Sequence, residues 1–290
     1  MRKFIVILII GSLISGELFA IKSQSKKVFR VSTFNIRLQT SADTAARSWD
    51  KRKTDVARII KQYDFDVFGV QEVGNLQQEA DLKTLIPNYT YFGKGRDNQQ
   101  GTAGEQIGVF FKTKRYLLSE NGSFFLSETP EKMSKGWDVD YRRMCVWTKL
   151  FDRKTKSSFY IFCTHFDHIG IKARAESAKL IVAKIKQIAG NFPVLLVGDL
   201  NATTKESIMY EALSSNMQDS REIAVLKSDH FLGTFNGYEM STDSMTTFKK
   251  IDYIFCKKIK VHTYKVLTDR YSKGSYPSDH FPVMIECEHL

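Results

Sequence analysis

The sequence predicts an α/β (α+β) fold, a four-layer sandwich of two packed mixed β-sheets flanked by helices. Three observations carry that expectation. Short runs rich in Val, Ile, Phe and Tyr recur along the chain, most bounded by turn residues. Segments with helical spacing of apolar residues stand between some of these runs. In the middle of the chain four runs follow one another with only turns between, which requires antiparallel pairing beside the parallel pairs that helical crossovers make. With 290 residues, 42% of them hydrophobic and 26% charged, one large core of this kind can be buried.

Taken in order, the opening "MRKFIVILIIGSLISGELFA" has a basic start, an apolar run over 4–14 and small residues before Ala20. That is the build of a secretory signal peptide over 1–20, with an uncleaved anchor as the competing reading; residues 21–290 then form a single domain. "VFRVSTFNI" reads as a strand ending at Asn35. "WDKRKTDVARIIKQYDF" sets Val56, Ile59, Ile60 and Tyr63 on one helical face. "DVFGVQEV" is a buried strand ending at Glu72, and "NLQQEADLKTLIP" a short helix stopped by Pro87. The antiparallel run is "IGVFFK", "YLLSENGSFFLS", "RRMCVWTKLFD" and "SFYIFCTHFDH". "IKARAESAKLIVAKIKQIA" is a helix closed by Gly190; "FPVLLVGDLN" is a buried strand ending at Asp199 and Asn201; a helix follows near 205–213. "IDYIFC", "IKVHTYKVLT" and "FPVMIECE" complete the strands. Only 96–105 and 219–247 read as long loops, and both are candidates for substrate contact. No shift in composition divides the chain further.

The formal net charge of +11 suits an exported protein that meets a polyanion, nucleic acid above all. The excess is spread over 51–53, 112–115 and 257–260, however, so a solvated basic surface explains it equally well. Cys145, Cys163, Cys256 and Cys287 all fall inside strand-like runs. This favours buried free thiols over the disulfides that export invites. No GxSxG elbow and no reactive cysteine setting occurs, which speaks against a covalent acyl enzyme.

The informative residues stand at strand ends. Asn35, Glu72, His165 with Asp167, Asp199 with Asn201, Asp252, and Asp279 with His280 in "YPSDHFPVMIEC" each open or close an apolar strand. If those strands lie side by side, carboxylates, imidazoles and amides converge on one rim. Such a set suits phosphoryl transfer with a hard cation. Mg²⁺ takes oxygen ligands and needs only one or two carboxylates, and it polarises a phosphate oxygen. A histidine oriented by an aspartate serves as base or as charge stabiliser.

"TFNIR", "QEV", "THFDH", "GDLN", "IDYIF" and "SDHFPV", in this order over 28–288, resemble the endonuclease/exonuclease/phosphatase (deoxyribonuclease I-like) superfamily, closest to bacterial relatives of deadenylase-type exonucleases. The resemblance implies Glu72 as principal Mg²⁺ ligand (Mn²⁺ being a possible substitute), Asn35 beside it and Asp279 at or near the metal. It implies that Asp199 and Asn201 position the attacking water and the phosphate. His280 would be a catalytic imidazole oriented by Asp252, and His165 would contact the scissile phosphate. Asn35, Arg143, Asn201 and His165 form the expected substrate-binding set; Arg143, in "YRRMCVW", would reach a phosphate or salt-bridge within the cleft. Glu105 in "GEQIGVF" resembles a recurring Gly-Glu of bacterial members. Turn capping accounts for Asp167 and His168 as well as function does. His262 and His289 read as surface residues.

The resemblance implies Mg²⁺-dependent cleavage of phosphodiester bonds by activated water. A nuclease, endo- or 3′–5′ exo-, leads, with nucleic acid or another phosphate-ester polymer as substrate and no stable protein partner. The alternative is a phosphodiesterase or phosphatase acting on phosphorylated glycans or, sphingomyelinase-like, on phospholipid head groups. The lipid case would use "YLLSENGSFFLS" as a membrane-contact hairpin; such contact is not favoured. A non-catalytic binding module on this scaffold would be marked by loss of a key residue, and every one is present.

Overall fold

A computed structural model describes residues 27–43, 47–228, 232–239, 248–271 and 274–290; the expected signal peptide lies outside them. Among the described residues the strands form two sheets of seven and six, with orders β10-β12-β13-β1-β2-β4-β3 and β5-β6-β7-β8-β11-β9. In the first sheet, β1 (Phe29–Asn35) runs parallel to β2 (Val67–Val73) and antiparallel to β13 (Val283–His289). Next to β2 lie β4 (Gln106–Lys112) and the edge strand β3 (Tyr89–Gly95). On the other side of β13 lie β12 (Ile259–Val266) and the short β10 (Leu226–Ser228). In the second sheet β7 (Ser157–His165) runs parallel to β8 (Val194–Asp199), and β11 (Asp252–Lys257) runs antiparallel to β8. The edges are β5 (Tyr116–Phe125), reached through β6 (Met144–Asp152), and the two-residue β9 (Gln218–Asp219).

The expected four layers are present. Strand alternation sends Val67 of β2 inward while Phe68 and Val70 face out. The inner layer joins Val31, Val67 and Ile285 to Cys163, Val197 and Ile254 of the facing sheet. Helix α1 (Trp49–Gln62) covers the outside of the first sheet with Trp49, Val56, Ile59 and Ile60, beside α2 (Leu76–Leu85). Helices α3 (Ile171–Ala189) and α4 (Ser207–Ser214) cover the second through Ile181, Ile185, Met209 and Leu213. At Gly69, in the middle of β2, side chains of the facing sheet press against the backbone. A Cβ there would lie 2.3 Å from Val197 Cγ2 and 3.0 Å from Cys163 Sγ, so only glycine fits.

Several details depart from expectation. β3 was not foreseen, because "YTYFGKG" is half-exposed along most of its length and carries two glycines. The segment 219–247 contains β9's end, the single-turn helix α5 (Ser220–Ile223) and β10, with 229–231 and 240–247 outside the described residues. The long irregular connection is instead 126–143, where Ser127, Pro130, Gly136 and Asp138 were the available turn signals. His289 is not a surface residue: its ring sits 4.9 Å from that of Phe29 and 5.0 Å from that of Phe159, and burial lowers its pKa to about 4. His262 is half-buried, its Nε2 3.3 Å from Glu288. The hairpin envisaged for membrane contact is a sheet edge, with Phe124 and Phe125 in the core. All four cysteines are buried free thiols, as their placement implied.

Candidate active site

Topology alone brings the polar strand ends together. Asn35 pairs with Gln71, so the ends of parallel β1 and β2 coincide. Asp199 pairs with His165 on one side and Asp252 on the other. The antiparallel β13 places its entrance, with Asp279 and His280 just before it, at the same end. The result is a cleft of about 680 Å³ bordered by Arg37, Glu72, Glu105, His165, Asp199, Asn201, Asp279 and His280, among others.

Local backbone devices aim the side chains. The pairing of β2 with β4 shifts register between Val70 and Val73, and Glu72 within that bulge adopts φ +60°. A non-glycine residue in the left-handed region costs on the order of 1 kcal/mol or more, and such strain concentrates at functional sites. Asn201 (φ 49°) and Arg37 (φ 59°), both at the cleft, share it. Glu72 Oε1 accepts from Asn35 Nδ2 at 2.9 Å, and its Oε2 accepts from the Leu38 amide at 3.0 Å. Asn35 Nδ2 also donates to Asp199 Oδ2 at 3.0 Å, bridging the two sheets. The Asn201 amide donates to Asp199 Oδ1 at 2.9 Å, and Asn201 Nδ2 donates to the Phe166 carbonyl at 3.0 Å and faces His165 Nε2 at 3.0 Å.

The two imidazoles flank Asp199, with His165 Nε2 at 3.5 Å and His280 Nε2 at 3.7 Å from its Oδ2. Each has its own orienting carboxylate. His280 Nδ1 lies 2.9 Å from Asp252 Oδ2, and His165 Nδ1 lies 3.0 Å from Glu105 Oε1. Burial works against the charge on His280, but Asp252 and Asp199 outweigh it and raise its pKa to about 10. Burial raises the carboxyl of Asp252, with His280 opposing. The pair is therefore read as an ion pair at neutral pH. Burial acts against ionised Glu105 too, yet its hydrogen bond to His165 and the nearby Arg96 and Arg143 hold it down at about 2.

Of the expected residues, all line the cleft or sit directly behind it. Arg143 is buried, with Nε 3.4 Å from Asp167 Oδ2 and Nη2 3.2 Å from His168 Nδ1. Asp167 also caps the turn before α3, accepting from the amides of Ile169 and Gly170. Asp279 Oδ2 faces Arg37 Nη1 at 3.6 Å. Residues outside the expected catalytic and metal-binding sets hold this arrangement. Glu105 orients His165. Phe235 packs edge-on against the His280 ring at 5.0 Å. Ser278 Oγ donates to the Asn35 carbonyl at 2.7 Å. Arg52 is buried and donates to the carbonyls of Ile36, Arg37, Arg47 and Pro277. Gln78 ties the amides of Gln39 and Gly74 to the Arg37 carbonyl. Arg52 thus corrects the reading of 51–53 as surface charge.

The donor set fits a hard divalent cation. Asp199, Asp252 and His280 bring potential ligand atoms within 4.8 Å of one another, but Asp252 is spent on His280, and a protonated imidazole cannot ligate. Glu72 is a partly exposed carboxylate of the cleft, and Asn35 and Asp279 supply further oxygens. Glu72 with these two would hold the ion, which when bound polarises a phosphate oxygen.

The sequence profile of the endonuclease/exonuclease/phosphatase family matches residues 32–280. A protein of that family from Bacteroides thetaiotaomicron is 36% identical, superposes with a TM-score of 0.84, and covers 91% of this chain and 98% of its own. A mannosyl-6-phosphatase from Bacteroides thetaiotaomicron VPI-5482 is also 36% identical, at a TM-score of 0.83, covering 89% of this chain and 99% of its own. Nocturnin of Drosophila melanogaster is 24% identical over 287 residues; the match takes in 84% of this chain and 43% of that protein.

Proposed function

Because the chain belongs to the endonuclease/exonuclease/phosphatase family, whose members are phosphoric ester hydrolases that generally require a divalent metal, we propose that it is a Mg²⁺-dependent phosphatase acting on a phosphate monoester carried by a sugar or glycan end. One observation carries the choice of a small substrate over a polymer. The cations of the cleft are mostly matched one for one, Arg37 to Asp43 and Asp279, Arg96 to Glu105, Arg143 to Asp167. Lys114, Arg153 and Lys154 border a separate depression at the opposite end of the strands, where Lys112 and Arg115 are paired with Asp64, Asp66 and Asp152. A backbone-tracking nuclease needs its uncompensated charge beside the site. The 36% identity to a mannosyl-6-phosphatase supports the same choice.

In this reading Asp199 Oδ2, aligned by Asn35, takes the proton of the attacking water. The His280 imidazolium, held by Asp252, donates to the phosphate and stabilises its charge. Asn201 and His165 orient the phosphate. The water oxygen bonds to phosphorus, the bond from phosphorus to the sugar oxygen breaks, the departing alkoxide takes a proton from a solvent water, and Asp199 returns its proton to solvent.

The nuclease reading retains the net charge of +11 in its favour. One experiment separates the two: incubate the protein with mannose 6-phosphate, 4-nitrophenyl phosphate and a single-stranded oligonucleotide, with Mg²⁺ or with chelator. Release of phosphate from the sugar, abolished by chelation and reduced about a hundredfold or more in Glu72→Gln, is expected. Cleavage of the oligonucleotide with the sugar phosphate left intact overturns the phosphatase reading for the nuclease.

A further inference from the structure

One wall of the cleft holds donors without acceptors. Arg96 Nη2 pairs with Glu105 Oε2 at 3.2 Å, but its Nε and Nη1 are buried and have no hydrogen-bond partner. Arg143, 5% exposed, has a buried Nη1 without a hydrogen bond, 3.9 Å from Glu105 Oε1. A buried N–H left unpaired loses its solvation without a replacement, and this wall keeps three of them. Both guanidinium groups border the cleft, and Glu105 joins them to His165, at the phosphate end of the site. Tyr141 lies over the Arg96 guanidinium at 5.1 Å and is itself 53% exposed. For the Arg96 donors to meet a ligand in the cleft, that ring has to turn aside.

We infer that Arg96 and Arg143, under Tyr141, form a subsite for the leaving group, donating to the neutral hydroxyl oxygens of its sugar ring. Charge decides between hydroxyls and a second phosphate. Glu105 and Asp167 already balance the two guanidinium groups, so another anion finds no excess positive potential there, whereas hydroxyl oxygens need only donors. The inference rests on the phosphate-ester hydrolase reading and names what the alcohol side of the ester must carry.

The test compares leaving groups with and without hydroxyls in two series: mannose 6-phosphate against 4-nitrophenyl phosphate, and a ribodinucleotide against bis(4-nitrophenyl) phosphate. Arg96→Met is expected to lower kcat/KM for the hydroxylated member at least tenfold more than for its aryl counterpart, in whichever series the wild-type protein turns over. Arg96→Lys, which keeps a charge for Glu105 while removing the guanidinium donors, is expected to show the same selective loss should Arg96→Met fold poorly. Equal losses on both members mean that Arg96 acts only through Glu105 and His165, and overturn the subsite. A greater loss on a sugar bisphosphate than on the monophosphate overturns the neutral-hydroxyl assignment. Turnover of the diester series alone defeats the phosphatase reading, yet the ratio within that series still decides the subsite.

Discussion

His280 shows how a residue takes its character from its neighbours. It stands at a strand end, enclosed by Asp252 and Asp199, and its pKa rises to about 10. The imidazolium therefore persists through the neutral range and is lost as pH climbs toward that value. If the charged form is needed, activity falls along an alkaline limb set by His280. Asp252→Asn removes the nearest negative charge, so the limb should move to lower pH, toward the ordinary histidine value of about 6.5, with kcat reduced about a hundredfold. A pH–rate profile of the two proteins checks this; an unmoved limb would show that another group controls it. The sign for stability is the same. The raised pKa makes the His280 contribution complete below about 6.5 and removes it as pH rises through about 10. The pairing of His280 with Asp252 was legible in the sequence through their motif positions, whereas that of His165 with Glu105 was not, since 60 residues separate the two.

At the scale of elements, the site depends on the loop after β1. Its carbonyls turn toward α1, where Arg52 gathers those of Ile36 and Arg37 together with that of Pro277 from the segment before β13. Burial lowers the pKa of Arg52 from its ordinary value, a sign that the guanidinium is held by hydrogen bonds at a desolvation cost. Replacing it with Met keeps most of the volume and orphans several carbonyls. We expect Arg52→Met to destabilise the fold by about 3–5 kcal/mol, and to weaken metal dependence because Leu38 no longer presents its amide to Glu72. Denaturant unfolding together with metal titration tests this; a loss below about 1 kcal/mol would show the loop to be held by other means. "WDKRKTD" looks like surface charge, but Trp49, Arg52 and Val56 lie three and four residues apart, on one helical stripe. The spacing was the available signal, and the charge masked it.

For the whole molecule, the distribution of charge matters more than its sum. The seven-residue β1 spans about 20 Å, so the basic cluster near its start lies beyond the screening length of about 10 Å at 0.1 M salt from the cleft at its end. It cannot steer substrates there. We predict that kcat/KM for a small phosphate ester changes less than about threefold between 0.05 and 0.3 M salt. Neutralising Lys114, Arg153 and Lys154 together should leave turnover within about twofold. A steep salt slope of the kind polymer binding produces, or a large loss in the triple variant, would place substrate contacts on that far face.

The sequence by itself determined most of the strands and helices, the layer architecture and the polar residues at the strand ends. Each of these is written in local periodicity, and a strand must end where its apolar run does. Only the tertiary structure decided what those residues face: the carboxylate behind each imidazole, the buried Arg52, the unpaired donors of Arg96 and Arg143, and the separation of the basic surface from the cleft. These depend on distances between segments far apart in the chain, and a one-dimensional pattern carries no such distances.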